Sequence, residues 1–157
     1  MFLHDLFPPE FIKVGLEAED KDEAFEELVD HFCQAEQVNI REEILEALRE
    51  RESKMSTGIQ KGIAIPHGKT SAIDSVKGVV GISRKGIDYD SLDGEPVFLL
   101  FMIVAPLKDT ETHLRILKRL AELLENPQFF IDLQEQKDAT GAYRVICKHE
   151  DLLIALD

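Results

Sequence analysis

The α/β class, with a sheet held between helical layers, is predicted by three features of this chain. Segments whose apolar residues recur at helical spacing alternate with short strand-like runs. One run, Val97 to Ala105, is apolar throughout, which marks a central strand covered on both faces. At 157 residues the chain has the size of one domain able to bury most of its apolar side chains in a single core, so one domain over 1–157 is expected.

After a turn at Pro8-Pro9, Phe11 to Leu16 alternates weakly between apolar and polar residues, as a strand does. Asp20 opens a helix whose apolar stripe is Phe25, Leu28, Val29, Phe32 and Cys33. Its other face, with Asp22, Glu23, Glu26, Glu27 and Asp30, is a solvated surface rather than a metal site. A second helix is predicted from Asn39, with Glu42 in capping-box position and Ile40, Ile44, Leu45 and Leu48 on its stripe, running toward Arg51. Strands are expected at Ile63–Ile65, at Val76–Ile82 and, after the turn Asp93-Gly94-Glu95-Pro96, at Val97–Ala105. A third helix begins between Asp109 and Thr112, turns Leu117, Leu120, Ala121 and Leu124 inward and stops at Asn126-Pro127. The remainder, Pro127 to Asp157, reads as helical, although Gly141 and the tract Tyr143 to Cys147 fit either state.

Asp and Glu number 31 against 18 Lys and Arg, a net charge of -13 that would repel a phosphate backbone, so nucleic acid is not an expected partner. The same field attracts a basic protein surface, though an acidic composition for solubility alone accounts for it equally well. No apolar run reaches the roughly 18 residues of a membrane span. Met1 to Leu6 lacks the basic flank and cleavage site of a secretory signal, so no membrane insertion and a cytoplasmic location are expected. Cys33 and Cys147 stand in no metal-ligand spacing and read as reduced, packed thiols.

Chemistry concentrates between Ser56 and Thr70. Ile63, Ala64 and Ile65 form a short buried strand that Pro66 ends, and Gly68 leaves the imidazole of His67 uncrowded, so an accessible, rigidly carried histidine is predicted. A P-loop does not fit: five residues separate Gly62 from Gly68 where that pattern has four, and Pro66 removes an amide from the cradle. A zinc site shared by His67 and His113 lacks a patterned third ligand, so no metal is expected. Asp88 to Gly94 resembles a calcium loop, but its glycine falls one position late and no glutamate closes it, leaving a hairpin turn.

Covalent catalysis fits better: neutral His67 attacks a phosphoryl group and carries it as a phosphoimidazole. The transferring group spreads negative charge over its equatorial oxygens, so donors should surround the ring. The candidates are the hydroxyls and amides of Ser56, Thr57 and Gly58, the guanidinium of Arg51, and His113, which a helix N-terminus would keep neutral. Each also has a plainer role. Ser56 and Thr57 can cap a turn, Arg51 can close the second helix, and His113 can be a packed or capping ring. Lys69 is a rim charge or a bystander, and His4, His31 and His149 read as structural.

The chain carries, in this order, the blocks Arg51-Glu52-Ser53-Lys54-Met55-Ser56-Thr57-Gly58-Ile59, Gly62-Ile63-Ala64-Ile65-Pro66-His67-Gly68, Gly86-Ile87-Asp88 with Leu92-Asp93-Gly94-Glu95-Pro96-Val97, and Thr112-His113-Leu114. In that order they resemble the enzyme IIA domain of the bacterial phosphotransferase system. The branch is the fructose/mannitol type, which includes the nitrogen-regulatory enzyme IIA. The resemblance implies a mixed sheet flanked by helices and a phosphotransferase in which Nε2 of His67 accepts phosphate from the phosphohistidine of an HPr-like carrier. It also implies that His113 is the second active-site histidine and that Arg51 helps hold the phosphoryl group. No ATP site, metal or other cofactor is expected. Gln60 stands where the family commonly has glycine, so a required positive φ there would reshape the loop and its amide's part in phosphate binding.

Two downstream steps are open. In a sugar-specific role phospho-His67 passes its group to a cysteine of a IIB partner feeding a permease. In a regulatory role, phosphate adds about -1.5 to -2 charges and changes which target protein the surface binds. This chain contains neither a IIB domain nor a permease, which tilts the expectation toward regulation. A binding module that kept the fold and lost transfer is the third alternative.

Overall fold

In the computed structural model, which describes residues 1–156, the chain runs α1 (Leu3–Leu6), a single 3-10 turn (Pro9–Phe11), β1 (Ile12–Val14), α2 (Lys21–Glu36), α3 (Arg41–Lys54), β2 (Gly58–Gln60), β3 (Ile63–Ala64), β4 (His67–Thr70), β5 (Lys77–Ile87), β6 (Val97–Pro106), α4 (Thr110–Leu124), α5 (Pro127–Gln134) and α6 (Ala139–Ala155). Asp157, the last residue of the predicted helical tail, lies outside the described residues.

The six strands form one sheet in the order β1-β5-β6-β3-β2, with β4 also paired to β6. β1 is parallel to β5, and β3 and β4 are parallel to β6, whereas the β5–β6 and β2–β3 pairs are antiparallel. The sheet is therefore mixed and lies between helices, as predicted. β6 is its spine because alternate side chains serve different cores. Leu99, Phe101, Ile103 and Ala105 pack with α1, α4, α5 and α6, while Leu100, Met102 and Val104 pack with α2 and α3. Full burial of each large apolar side chain contributes about 1.5–3 kcal/mol, so both layers are clamped through this one strand. Among the described residues no helix is long and apolar enough to cross a membrane.

Several boundaries differ from the sequence expectation: β1 is confined to Ile12–Val14, and β3 ends at Ala64, short of Ile65. α3 starts at Arg41, not Asn39, and its cap residue Ile40 makes no side-chain cap bond. Ile40 instead packs against the core beneath α2 and α3, so apolar anchorage replaces the expected polar cap. β5 continues past Ile82 to Ile87 through a register shift, at which Gly86 takes φ +89° and its N–H donates to Ser83 Oγ (3.0 Å). The C-terminal segment is two helices broken at residues 135–138, and Gly141 and Tyr143 to Cys147 fall inside the second, which Asp138 caps by accepting from the Gly141 N–H at 2.8 Å.

Candidate functional site

β3 and β4 lie along the same edge of β6, with Ala64 opposite Leu100 and His67 opposite Ile103. Pro66 therefore interrupts the pairing along β6 rather than ending it. It has no N–H to offer, but its carbonyl accepts from the Ile103 N–H (2.9 Å), and pairing resumes at His67. The role expected of Gly68 also changes. A Cβ there would stand 2.7 Å from the Ala47 carbonyl oxygen, so this glycine lets α3 close against β4 rather than clearing space for the imidazole. The close approach brings Arg51 into the cleft that His67 lines.

Nδ1 of His67 lies 2.7 Å from the Ile65 carbonyl oxygen. A carbonyl only accepts, so Nδ1 carries the proton and the neutral ring keeps its lone pair on Nε2. Burial lowers the pKa of His67, and the Arg51 charge lowers it further; the Ile65 hydrogen bond and Glu52 oppose the shift. The net shift is downward, so the ring is neutral and nucleophilic at pH 7.

His113 enters from the first turn of α4 and is only 4% exposed. The two imidazoles stand 5.6 Å apart, centroid to centroid, at 73°. Burial, then the charges of His67 and Lys69, push the His113 pKa down to about 4 against the pull of Asp109. Its Nε2 is buried and has no hydrogen-bond partner. An orphaned polar atom beside a nucleophile is poised for a ligand oxygen.

These groups line a cleft of about 470 Å³ together with Arg51, Lys54 and Lys69, while Leu107 and Leu114, 58% and 60% exposed, lie at its rim. Arg51 Nη1 donates to the Met55 carbonyl (2.9 Å) and Lys69 Nζ donates to Thr110 Oγ1 (3.0 Å), so both cations are oriented from within the protein. Glu50 is the single acidic residue on the lining. A chain of net charge -13 thus presents a locally basic pocket, as a phosphoryl group requires.

Ser56, Thr57 and Gly58 do not line this cleft. Thr57 is 4% exposed, and its hydroxyl donates to Glu52 Oε2 (2.6 Å) and lies 2.8 Å from the Tyr89 hydroxyl. Ser56 Oγ accepts from the Gly58 N–H at 3.1 Å, and a Cβ on Gly58 would stand 2.5 Å from Ser91 Oγ. The three residues are engaged in the scaffold. Gln60 needs no positive φ: the left-handed pair in that turn is Lys61 (φ 54°) and Gly62 (φ 81°), so the loop is not reshaped by the missing glycine. In the Asp88 to Gly94 turn, Asp93 accepts from the Lys61 and Glu95 N–H groups, each at 3.0 Å.

Lys54, Leu107 and Leu114 escaped the sequence reading. Lys54 left a signal, since Ala47, Glu50, Arg51 and Lys54 repeat at i, i+3, i+4 and i+7 and all face the cleft. Leu114 stands beside His113 in the Thr112-His113-Leu114 block and three residues before Leu117, and His113, Leu114 and Leu117 all line the cleft. Leu107 left no signal, being an isolated leucine that tertiary folding gathers.

Residues 5–149 match the family described as "Phosphoenolpyruvate-dependent sugar phosphotransferase system, EIIA 2". The fructose-specific EIIABC component of the phosphotransferase system of Bacillus subtilis is 37% identical over 150 residues, 96% of this chain; the chain spans only 24% of that protein's length. A nitrogen regulatory protein of Bradyrhizobium diazoefficiens is 34% identical over 146 residues, covering 93% of this chain and 95% of the relative. The crystal structure of nitrogen regulatory protein IIA-Ntr from Neisseria meningitidis superposes with a TM-score of 0.84 at 26% identity, covering 92% of this chain and 98% of the other. With a match running through both cleft histidines, the chain belongs to the EIIA 2 family of the phosphoenolpyruvate-dependent sugar phosphotransferase system.

Proposed function

We propose that this chain is a nitrogen-type regulatory enzyme IIA that takes a phosphoryl group onto Nε2 of His67 from the phosphohistidine of an HPr-like carrier. The observation that carries the proposal is the hydrogen bond from Nδ1 of His67 to the Ile65 carbonyl, which commits the lone pair to Nε2. That lone pair forms the new bond to phosphorus while the carrier's N–P bond breaks, and the carrier's imidazole leaves with the electron pair. Nδ1 keeps its proton, so the His67 ring gains positive charge that the Ile65 carbonyl faces. Arg51, Lys69 and an N–H of His113 receive the equatorial oxygens, and Ser56, Thr57 and Gly58 act from the scaffold. The step consumes no ATP and needs no metal or other cofactor.

The regulatory role is supported by the Bradyrhizobium relative, matched over 93% of this chain and 95% of its own length. Phosphate in the basic cleft changes the charge between Leu107 and Leu114, and with it the target protein that docks there. The chain would work in the cytoplasm, where such a carrier diffuses. A sugar-specific role, with phosphate passed to a IIB cysteine, is favoured instead by the Bacillus relative, 37% identical across 96% of this chain.

The purified chain, incubated with enzyme I, an HPr-type carrier and labelled phosphoenolpyruvate, is expected to gain acid-labile label on a histidine. His67→Ala should gain none. Equal label on both would move the acceptor elsewhere, and no label on wild type would leave a non-catalytic binding module. Adding membranes with candidate IIB proteins separates the two roles, since label reaching sugar refutes a purely regulatory one.

A further inference from the structure

Phosphoryl transfer itself leaves a buried polar cluster between α2, α3 and β2 unused. Glu52 of α3, its side chain 6% exposed, accepts from the Thr57 N–H (2.9 and 3.1 Å) and from the Thr57 hydroxyl (2.6 Å). Lys21 of α2 reaches the same carboxylate at 3.3 Å and stands 5.0 Å from the centre of the Tyr89 ring. The hydroxyl of Tyr89, a fully buried residue, meets Thr57 Oγ1 at 2.8 Å.

The cluster connects to the nucleophile. The Thr57 carbonyl accepts from the Ile65 N–H (3.0 Å), and the Ile65 carbonyl accepts from Nδ1 of His67 (2.7 Å). We propose that Glu52 is a positioning residue for His67: its buried carboxylate pins Thr57, Thr57 pins Ile65, and Ile65 holds the imidazole proton on Nδ1. The link is mechanical and electrostatic rather than conjugated, because the N–H and C=O of one residue belong to different peptide planes. The charge matters as well as the grip. His67 gains positive charge as Nε2 bonds to phosphorus, and Glu52 favours a charged ring, against Arg51 on the same helix. Glu50 and Lys54 on α3, Lys69 on β4 and His113 on α4 face the same cleft, and Lys21 tempers the carboxylate from α2.

This inference rests on His67 being the phosphoacceptor, and its test is read separately from that function. The probe is imidazole 15N–1H correlation NMR of the full chain across pH, alongside initial rates of label uptake from the HPr-type carrier. Glu52→Gln keeps the size and one acceptor but loses the charge. It is expected to lower the His67 titration midpoint by ~0.5 pH unit and to slow uptake roughly 5- to 10-fold in kcat with KM for the carrier unchanged. Tyr89→Phe, which removes a hydroxyl from the same cluster without touching the grip on the Thr57 N–H, should move neither. An unchanged midpoint and rate in Glu52→Gln overturns the proposal, and so does an equal change in Tyr89→Phe, which would make the effect one of packing. If Glu52→Gln does not fold, Lys21→Met decides: stripping the carboxylate of its cation should raise the His67 midpoint, and no rise overturns the proposal. Should wild-type His67 take no label, the phosphoacceptor function fails while the NMR titration still decides the role of Glu52.

Discussion

His4 and His149, outside the His67 cleft, differ from the two cleft histidines in the partner of the ring. His31, whose Nε2 lies 2.9 Å from the Glu10 carbonyl oxygen, has a carbonyl partner as His67 does but lies outside the basic cleft. His4 Nδ1 lies 2.8 Å from Glu150 Oε1, and the same carboxylate collects the N–H groups of Leu3 (2.6 Å) and His4 (3.1 Å) at the start of α1. His149 Nε2 lies 2.8 Å from Asp132 Oδ2 while its ring packs 5.2 Å from that of Phe129. Those two rings tie helices together. His67, by contrast, has a neutral carbonyl on Nδ1, and His113 has no partner at all on Nε2. A carboxylate partner consumes a histidine's hydrogen-bonding capacity in holding the fold, whereas a carbonyl partner orients the ring and leaves the other nitrogen free.

The sharpest way to break this comparison is His67→Ala. It should lower labelled phosphate uptake by at least ~10³-fold with stability nearly unchanged, whereas His149→Ala should do the reverse, which paired uptake and urea-unfolding measurements would show. Next in size, Glu150→Ala leaves two N–H groups of α1 and the Arg119 guanidinium, 3.8 Å from Glu150 Oε2, without their anion. A loss of about 3 kcal/mol in urea unfolding is expected, with uptake per folded molecule unaltered. His113→Ala should slow uptake ~30-fold without abolishing it, since one donor to the phosphoryl oxygens is lost and the nucleophile remains. Unchanged uptake would remove His113 from the mechanism.

The smallest effect per step measured is on pH dependence. His113 titrates near 6.5 when unfolded and about 4 when folded, so between those values the unfolded chain binds a proton that the folded chain does not. Stability therefore rises with pH across that window and is lost as pH falls from 6.5 toward 4, with a slope of at most ~1.4 kcal/mol per pH unit from this ring. His67, shifted the same way, adds to the slope. Unfolding series at several pH values should show a shallower slope in His113→Gln than in wild type.

Apolar spacing located α2, α4 and β6 within a residue or two, since each has a continuous stripe or run that only one period fits. β2 and β4 were not legible: Gly58–Gln60 and His67–Thr70 are short, polar and glycine-bearing, and they become strands because β3 and β6 offer them partners. At the site, the Pro66-His67-Gly68 block and the order of the motifs pointed to His67, His113 and Arg51, and the fold gathers all three in one cleft. Ser56 and Thr57 stand as candidate phosphate donors beside their turn-capping roles, because a hydroxyl near His67 in sequence looks like a donor. In three dimensions the Thr57 hydroxyl pairs with Glu52 and Tyr89, away from the cleft lining.

What the amino-acid order determined by itself was local: which segments carry an apolar face, where backbone hydrogen bonding must break at Pro66, and which residue types able to carry phosphate stand in the chain. What only tertiary structure decided was partnership. Whether a histidine meets a carboxylate, a carbonyl or nothing depends on groups as far apart in sequence as His4 and Glu150, or His67 and His113. That choice sets the proton's position and the free lone pair, because hydrogen bonding and burial act through space and carry no local signature in the chain.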